Sequence, residues 1–293
     1  MRTVRISGRV DLHVHSRVSD GTGSPADLVR EAHAAGLAMF ALTDHDTTAG
    51  WAEARREAER TGLGLIPGIE LSTRLGWRSV HVLGYLVDPL DPGLVAETER
   101  IRAARRSRAR RIVDRIGEDY PLSWDDVLAQ TTAGSTVGRP HIADALVALG
   151  LEADRSAAFA GILHPRTGYV EPHYAPTPVD GVRLIVGAGG VPVVAHPGAA
   201  GRDRVLPEPV VAELVDAGLF GFELHHRENT PDGARRVAEL IERFGLEATG
   251  SSDYHGTGKP NRLGEHVTDP AVIERLLARG TGTTPVLPRA AAS

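Results

Sequence analysis

The chain has 293 residues, with 33 Lys plus Arg set against 38 Asp plus Glu, a formal charge of −5. Its 41% hydrophobic and 24% charged residues are too rich in apolar groups for intrinsic disorder, and no run approaches the ~20 apolar residues of a membrane span. Cysteine is absent, which excludes disulfides, thiolate metal sites, iron–sulfur clusters and cysteine nucleophiles together.

The first residues, Met1-Arg2-Thr3-Val4-Arg5-Ile6, contain no apolar h-region, so a cytoplasmic location is expected. Strands are predicted at 10–15, 39–43, 63–67 and 79–87, with helices at 25–36 and 47–61 between them. Ser24-Pro25 supplies an N-cap and a proline at the first helical position, while Gly36 and Gly62 fall where those helices should stop. Such alternation predicts an α/β fold on a parallel sheet or barrel. Between 90 and 177 the rhythm fails. A long helix at 95–116 carries eight Arg between 100 and 115, and helical stretches at 123–130 and 140–150 precede a Pro- and Gly-bearing run over 168–176. We read this span as a mostly helical insertion capping the substrate side of a domain formed by 1–89 and 178–293. Alternation resumes with helices at 179–188, 208–217 and 232–244 and strands at 191–195, 221–225 and 246–250, and the tail from 281 is expected to fray.

In parallel α/β architectures the carboxyl ends of strands converge on one face, and the site is built there. Each predicted strand here carries a potential ligand. The first ends in His13-Val14-His15, whose i and i+2 side chains share a face, with Asp20 in the next loop. The second ends in Thr43-Asp44-His45-Asp46, the third in Gly68-Ile69-Glu70, and the fourth carries His81. Ala195-His196-Pro197-Gly198 follows the fifth, the sixth holds Glu223 with His225 and His226, and Ser252-Asp253-Tyr254-His255 follows the seventh. An isolated buried histidine is more often a hydrogen-bonded packing residue, and His33, His164, His173 and His266 are read as structural or surface residues. Coincidence of place separates the others from that reading. Burying so many ionisable groups together is costly without a counter-charge, which divalent cations supply. With no Cys, such ions must sit on His and carboxylates, a set that suits Mn, Fe or Zn. A zinc-like ion takes three or four protein ligands. Nine candidates remain when Glu223 and its His neighbours are set aside: His13, His15, Asp20, His45, Glu70, His81, His196, Asp253 and His255. They exceed one site, so two or three ions fit better than one.

These ordered motifs resemble the PHP (polymerase and histidinol phosphatase) superfamily over roughly 10–87 and 178–260. The insertion, with Gly138-Arg139-Pro140-His141 and Thr167-Gly168-Tyr169-Val170-Glu171-Pro172, looks like that of its nucleotide phosphoesterases. The resemblance implies a distorted seven-stranded (β/α) barrel holding three metal ions. Carried over, His13, His15, Glu70 and Asp253 would hold the first, with Glu70 bridging to the second; His81 and His196 would complete the second; Asp20, His45 and His255 would hold the third. Amidohydrolases share the His-x-His opening, but many need a bridging modified lysine, and the one Lys here, Lys259, follows the last ligand.

The expected activity is hydrolysis of nucleotide phosphate monoesters, of nucleoside 3′,5′-bisphosphate or AMP type, by hydroxide formed on the ions and attacking in line. Asp44, Asp46 and His226 are candidates for proton transfer. Arg139 and His141, at the start of a helix, are candidates for binding a second phosphate, set against a capping turn with a surface arginine. Trimming of 5′-monophosphorylated RNA in the 5′→3′ direction is the close alternative, histidinol phosphate a less favoured substrate, and a non-catalytic module binding RNA or a polymerase the alternative of another class. The Arg-rich helix reads as a solvated face, since Glu97, Glu99 and Asp114 interleave and Ile101, Ala104, Ile112 and Ile116 suggest one packed side. The partners expected are a nucleotide or short RNA, with no membrane and no DNA complex.

Overall fold

A computed structural model describes residues 5–132, 134–199 and 205–289. The reading of Met1 to Val4 and the last residues of the tail lie outside them. The described chain is α/β, with a seven-stranded sheet ordered β1-β2-β3-β4-β5-β6-β7. It starts with β1 (Arg9–Val14), α1 (Pro25–Ala34), β2 (Leu37–Leu42), α2 (Trp51–Thr61), β3 (Gly64–Leu75) and β4 (Arg78–Tyr85). After the span of α3 (Pro92–Ile116), α4 (Trp124–Leu128), α5 (Arg139–Ala148) and α6 (Arg155–Ala160), it continues through α7 (Pro178–Gly187), β5 (Val191–Val194), α8 (Glu208–Asp216), β6 (Gly221–His225), α9 (Pro231–Phe244), β7 (Glu247–Gly250) and α10 (Pro270–Arg279). No helix among the described residues is long and apolar enough to cross a membrane.

Local chemistry sets the helix ends. The Ser24 hydroxyl accepts from Asp27 N while the Asp27 carboxylate takes the Ser24 N–H, the reciprocal cap that the Ser-Pro start foreshadows. Gly62 ends α2 at φ 80°, a left-handed conformation that favours glycine. The apolar strands β2 (LAMFAL) and β5 (VPVV) are almost wholly buried because their two faces enter two apolar clusters, Phe40, Leu42 and Val194 in one and Met39, Ala41, Val191 and Val193 in the other. Fully buried Phe40, Leu42, Leu65 and Ile69 belong to the larger apolar cluster, and truncating a side chain such as Phe40 to Ala costs about 3–5 kcal/mol. A separate cluster around Ile112, Ile116, Ile142, Leu146 and Leu163 holds α3 to α6 together.

Three expectations need correction. The sheet is not all parallel: β4 runs antiparallel to both β3 and β5. β3 does not end near residue 67 but extends to Leu75, because its alternating residues pair with β4 in a hairpin from Gly68↔Tyr85 to Leu75↔Arg78. Glu70 therefore sits within a strand. The tail is ordered to Arg289: Leu65 and Val286 exchange backbone hydrogen bonds of 2.8 Å, and Arg289 N donates to Gly62 O. α6 and α10 went unanticipated, α6 because one turn leaves little periodicity. The two ends of the sheet approach each other through a parallel bridge between Val14 and Tyr254, with His15 N donating to Tyr254 O at 2.9 Å.

Candidate metal centre

Backbone geometry aims the polar side chains. In β1, residues 13 and 15 share a face. Ser72 pairs with His81 across the β3–β4 hairpin, which puts Glu70, Ser72 and His81 on one face. Sharp turns leave β2, β5 and β7, and three non-glycine residues there have positive φ: Asp46 (54°), His196 (31°) and Asp253 (53°). Such strain concentrates where a fold must point a side chain in one direction.

All nine candidate ligands converge. Their nitrogen and oxygen atoms form four overlapping groups, each within 4.8 Å: His15, Asp20, His45 and His255; His13, Glu70 and His196; His13, His15 and Asp253; His45, Glu70 and His81. Glu70 lies at the centre and its oxygens divide the cluster. Oε1 is 2.7 Å from His81 Nδ1 and 3.3 Å from His196 Nε2, whereas Oε2 is 3.2, 3.1 and 3.1 Å from ring nitrogens of His13, His15 and His45. Asp253 Oδ1 faces His13, His15 and His255 at 3.3–3.4 Å. Asp20 meets His255 at 3.2 Å and His45 at 3.6 Å.

The donor set fits metal ions. Atoms bonded to one ion at about 2.1 Å lie roughly 3.0–3.4 Å apart, and most of the distances here fall in that range. His13 Nε2 and His15 Nε2 point at each other at 2.9 Å. His45 Nδ1 and His81 Nδ1 are buried without a hydrogen bond although each is close to a Glu70 oxygen. His45 and His81 approach Glu70 without pairing, as groups do that share a third partner. Charge agrees. Burial alone would raise the carboxyls of Glu70, Asp20 and Asp253, yet neighbouring histidines, and for Asp253 first Lys259, hold all three well below the usual range. Against its own burial, His15 is pushed up to about 9 by hydrogen bonds to Asp253 and Glu70. The carboxylates demand positive charge at this point, and a cation can replace the protons that otherwise supply it.

The surroundings include residues that sequence reasoning set aside or placed elsewhere. Glu223 is fully buried; Oε1 takes His13 Nδ1 at 3.0 Å and the Ser251 hydroxyl, and Oε2 takes His196 N at 2.7 Å. This orients the His13 ring as a carboxylate orients a metal-binding histidine, and it holds the backbone of His196 in place. Lys259 does not lie away from the site: the short turn Gly256–Gly258 brings its Nζ to 2.5 Å from Asp253 Oδ2. The solvated-face reading of the Arg-rich helix fails for Arg105 and Arg108, which are buried on the side of Ile101 and Ile112. Arg105 donates to Asp46 Oδ2 at 3.1 Å and Ser72 Oγ at 2.9 Å, and Arg108 donates to His173 Nδ1 at 3.0 Å. His173, read as a structural or surface residue, is thereby drawn into the cluster; burial, then Arg108, Arg105 and Arg74, push it down to about 2. Nε of Arg105, Nε of Arg108 and Nε2 of His173 are buried without partners.

The remaining candidates separate. Asp44 is saturated by Ser16 N, Ser16 Oγ and Ser19 Oγ at 2.7–2.8 Å, and Asp46 by Ser72 and Arg105. His226 is buried beside Asp253. His141 is buried and its Nδ1 accepts from Gly138 N, the capping-turn arrangement. Arg139 stands over the Phe159 ring at 5.5 Å, close enough to Arg108 to depress the latter's pKa after burial and Arg105.

Comparison with known proteins agrees with this geometry. The PHP domain matches residues 11–118. A 3′,5′-nucleoside bisphosphate phosphatase of Chromobacterium violaceum is 36% identical over 262 residues, covering 89% of this chain and 92% of that protein. A 5′-3′ exoribonuclease of Haemophilus influenzae is 32% identical, covering 84% and 90%. A solved structure from Bifidobacterium adolescentis, assigned as a metal-dependent phosphoesterase, superposes with a TM-score of 0.91 at 41% identity, covering 95% of this chain and 98% of that one. With motifs, site geometry and relatives in agreement, the chain belongs to the PHP family.

Proposed function

We propose that this protein is a metal-dependent phosphoesterase that releases phosphate from nucleotides carrying two phosphates, of the nucleoside 3′,5′-bisphosphate type, with AMP-like monoesters as related substrates. The observation that carries this reading is the adjacency of two charge clusters: the His and carboxylate cluster around Glu70, and buried guanidiniums of Arg105 and Arg108 with unpartnered N–H groups. The first suits divalent ions, the second an anion. Three ions of Mn, Fe or Zn match the nine-residue donor set; when bound they supply charge for a phosphoryl group and lower the pKa of a water.

The chain's own residues do the rest. Glu70 joins the two halves of the metal cluster through its two oxygens. Glu223 fixes the ring of His13 and the backbone of His196. Arg105, Arg108, Arg139 and the Nε2–H of His173 receive a second phosphate, with guanidinium geometry suited to its oxygens. We read 90–177 as a cap that brings these groups over the ions, and the seven-stranded sheet as a barrel closed by the Val14–Tyr254 bridge. The relatives named as a phosphatase and an exoribonuclease support a hydrolase over a non-catalytic module. Losing one charged contact of about 1.5–3 kcal/mol should raise KM for a bisphosphate roughly 10–100-fold in Arg139→Ala or Arg108→Met. KM for a monophosphate should change little. An equal loss for both substrates would refute the second-phosphate role.

A second reading, trimming of 5′-phosphorylated RNA, is favoured by a groove of about 550 Å³ lined by Arg102, Arg106, Thr131, Thr132 and residues 134–137, with Arg106 and Arg110 over the Trp124 ring at 5.5 and 5.6 Å. It offers room and stacking surface for following nucleotides. Comparing turnover of a nucleotide with that of a 5′-phosphorylated pentamer distinguishes the readings.

A further inference from the structure

We propose that His226 is a catalytic residue of this site, donating a hydrogen bond from Nε2 to a phosphoryl oxygen of the bound ester. Its side chain is fully buried, and its ring centroid lies 5.3 Å from that of His196 and 6.5 Å from that of His13. Its own hydrogen bonding fixes which ring nitrogen is the donor. Glu228 N donates to His226 Nδ1 at 3.1 Å, so that nitrogen carries a lone pair and the proton of a neutral ring is on Nε2. Were Nε2 a metal ligand, the proton would move to Nδ1 and face the Glu228 N–H, setting two donors against each other.

Nε2 is buried with no hydrogen-bond partner. The nearest carboxylate oxygen, Asp253 Oδ2, is 3.9 Å away and already takes Lys259 Nζ at 2.5 Å. A buried N–H left unmade is costly and is retained where a partner arrives. The loop is braced against drift: Asn229 Oδ1 accepts from Gly198 N, and its Nδ2 donates to the carbonyls of Glu223 and Leu224, all at 2.9 Å. In this tautomer the ring has a single proton, whose loss would leave an imidazolate. The group therefore acts as a fixed donor to developing negative charge, and no proton changes hands.

This inference rests on the phosphoesterase reading, and the experiment separates the two. Full-length, zinc-loaded protein with 15N-labelled histidine is examined by long-range 1H–15N spectra, with His226 assigned from His226→Gln. The expected result is a neutral ring protonated at Nε2, whose resonance shifts on adding inorganic phosphate. For a nucleoside bisphosphate, His226→Phe should lower kcat about 100-fold with KM changed less than about threefold and bound metal unchanged, and His226→Gln, which restores an N–H, should recover about tenfold. A proton on Nδ1, a glutamine variant no better than phenylalanine, or loss of metal in step with activity overturns the role. If the wild type releases phosphate from no ester, the parent reading falls and takes the phosphoryl partner with it; an active wild type with any of those three results overturns His226 alone.

Discussion

Lys259 is the only lysine in the chain, and its ammonium ends on Asp253 Oδ2, whereas His13, His15 and His255 face Oδ1. That division leaves Oδ1 free to point inward and makes Lys259 a positioning residue for the cluster. Removing a group that orients a ligand in this way typically weakens metal binding about 10–100-fold. Lys259→Met should therefore retain less metal after dialysis than wild type, with Lys259→Arg close to wild type; equal metal content in all three would exclude the role. The lysine was visible as a count, but its place was not. A turn of three residues, with Gly256 at φ 65°, folds it back to Asp253, and nothing in periodicity or motif spacing encodes that return. His13, His15, His45, His196 and His255 were legible for the opposite reason: they follow short apolar runs that can only be strands, and strand ends converge.

At the scale of elements, α3 is the instructive case. Ile101, Arg105, Arg108 and Ile112 follow one another at helical spacing on a single buried face, so the signal for buried arginines was present in the sequence. It was masked by the exposed arginines and acidic residues around them. His173 could not have been found this way, because it lies in an extended segment without period and is drawn in by Arg108. Its pKa of about 2, against an ordinary 6.5, gives a sign for pH dependence. The unfolded chain binds this proton between those values and the folded chain does not. The contribution is thus fully present above about 6.5 and declines as pH falls towards 2. In His173→Gln, which keeps an acceptor for Arg108, the fall in Tm between pH 7 and pH 5 should be shallower than in wild type; parallel slopes would contradict a neutral buried His173. The β3–β4 hairpin was misread for another reason. Glu70 and Ser72 look like loop chemistry, yet they alternate with buried Ile69 and Leu71 and pair with β4, whose strand carrying His81 was anticipated, and so satisfy a strand facing a charged centre.

Across the whole molecule, the cluster ties the chain together. Its candidate ligand atoms come from β1, β3 and β4, from the loop before α1, and from the turns after β2, β5 and β7, so residues from 13 to 255 meet within a few ångströms. Ions bound there would stabilise the folded state by mass action, and the positive charge that would offset Glu70, Asp20 and Asp253 is the charge a phosphoryl group requires. The formal charge of −5 conceals this polarity, because positive and negative groups are sorted into adjoining clusters. The most direct measurement is phosphate release from a nucleoside 3′,5′-bisphosphate by purified protein supplied with Mn²⁺, compared with chelated protein and with His13→Ala. The account predicts turnover that depends on the metal and disappears with chelation and in the variant; equal rates in all three, or none in any across a panel of nucleotide esters, would contradict it.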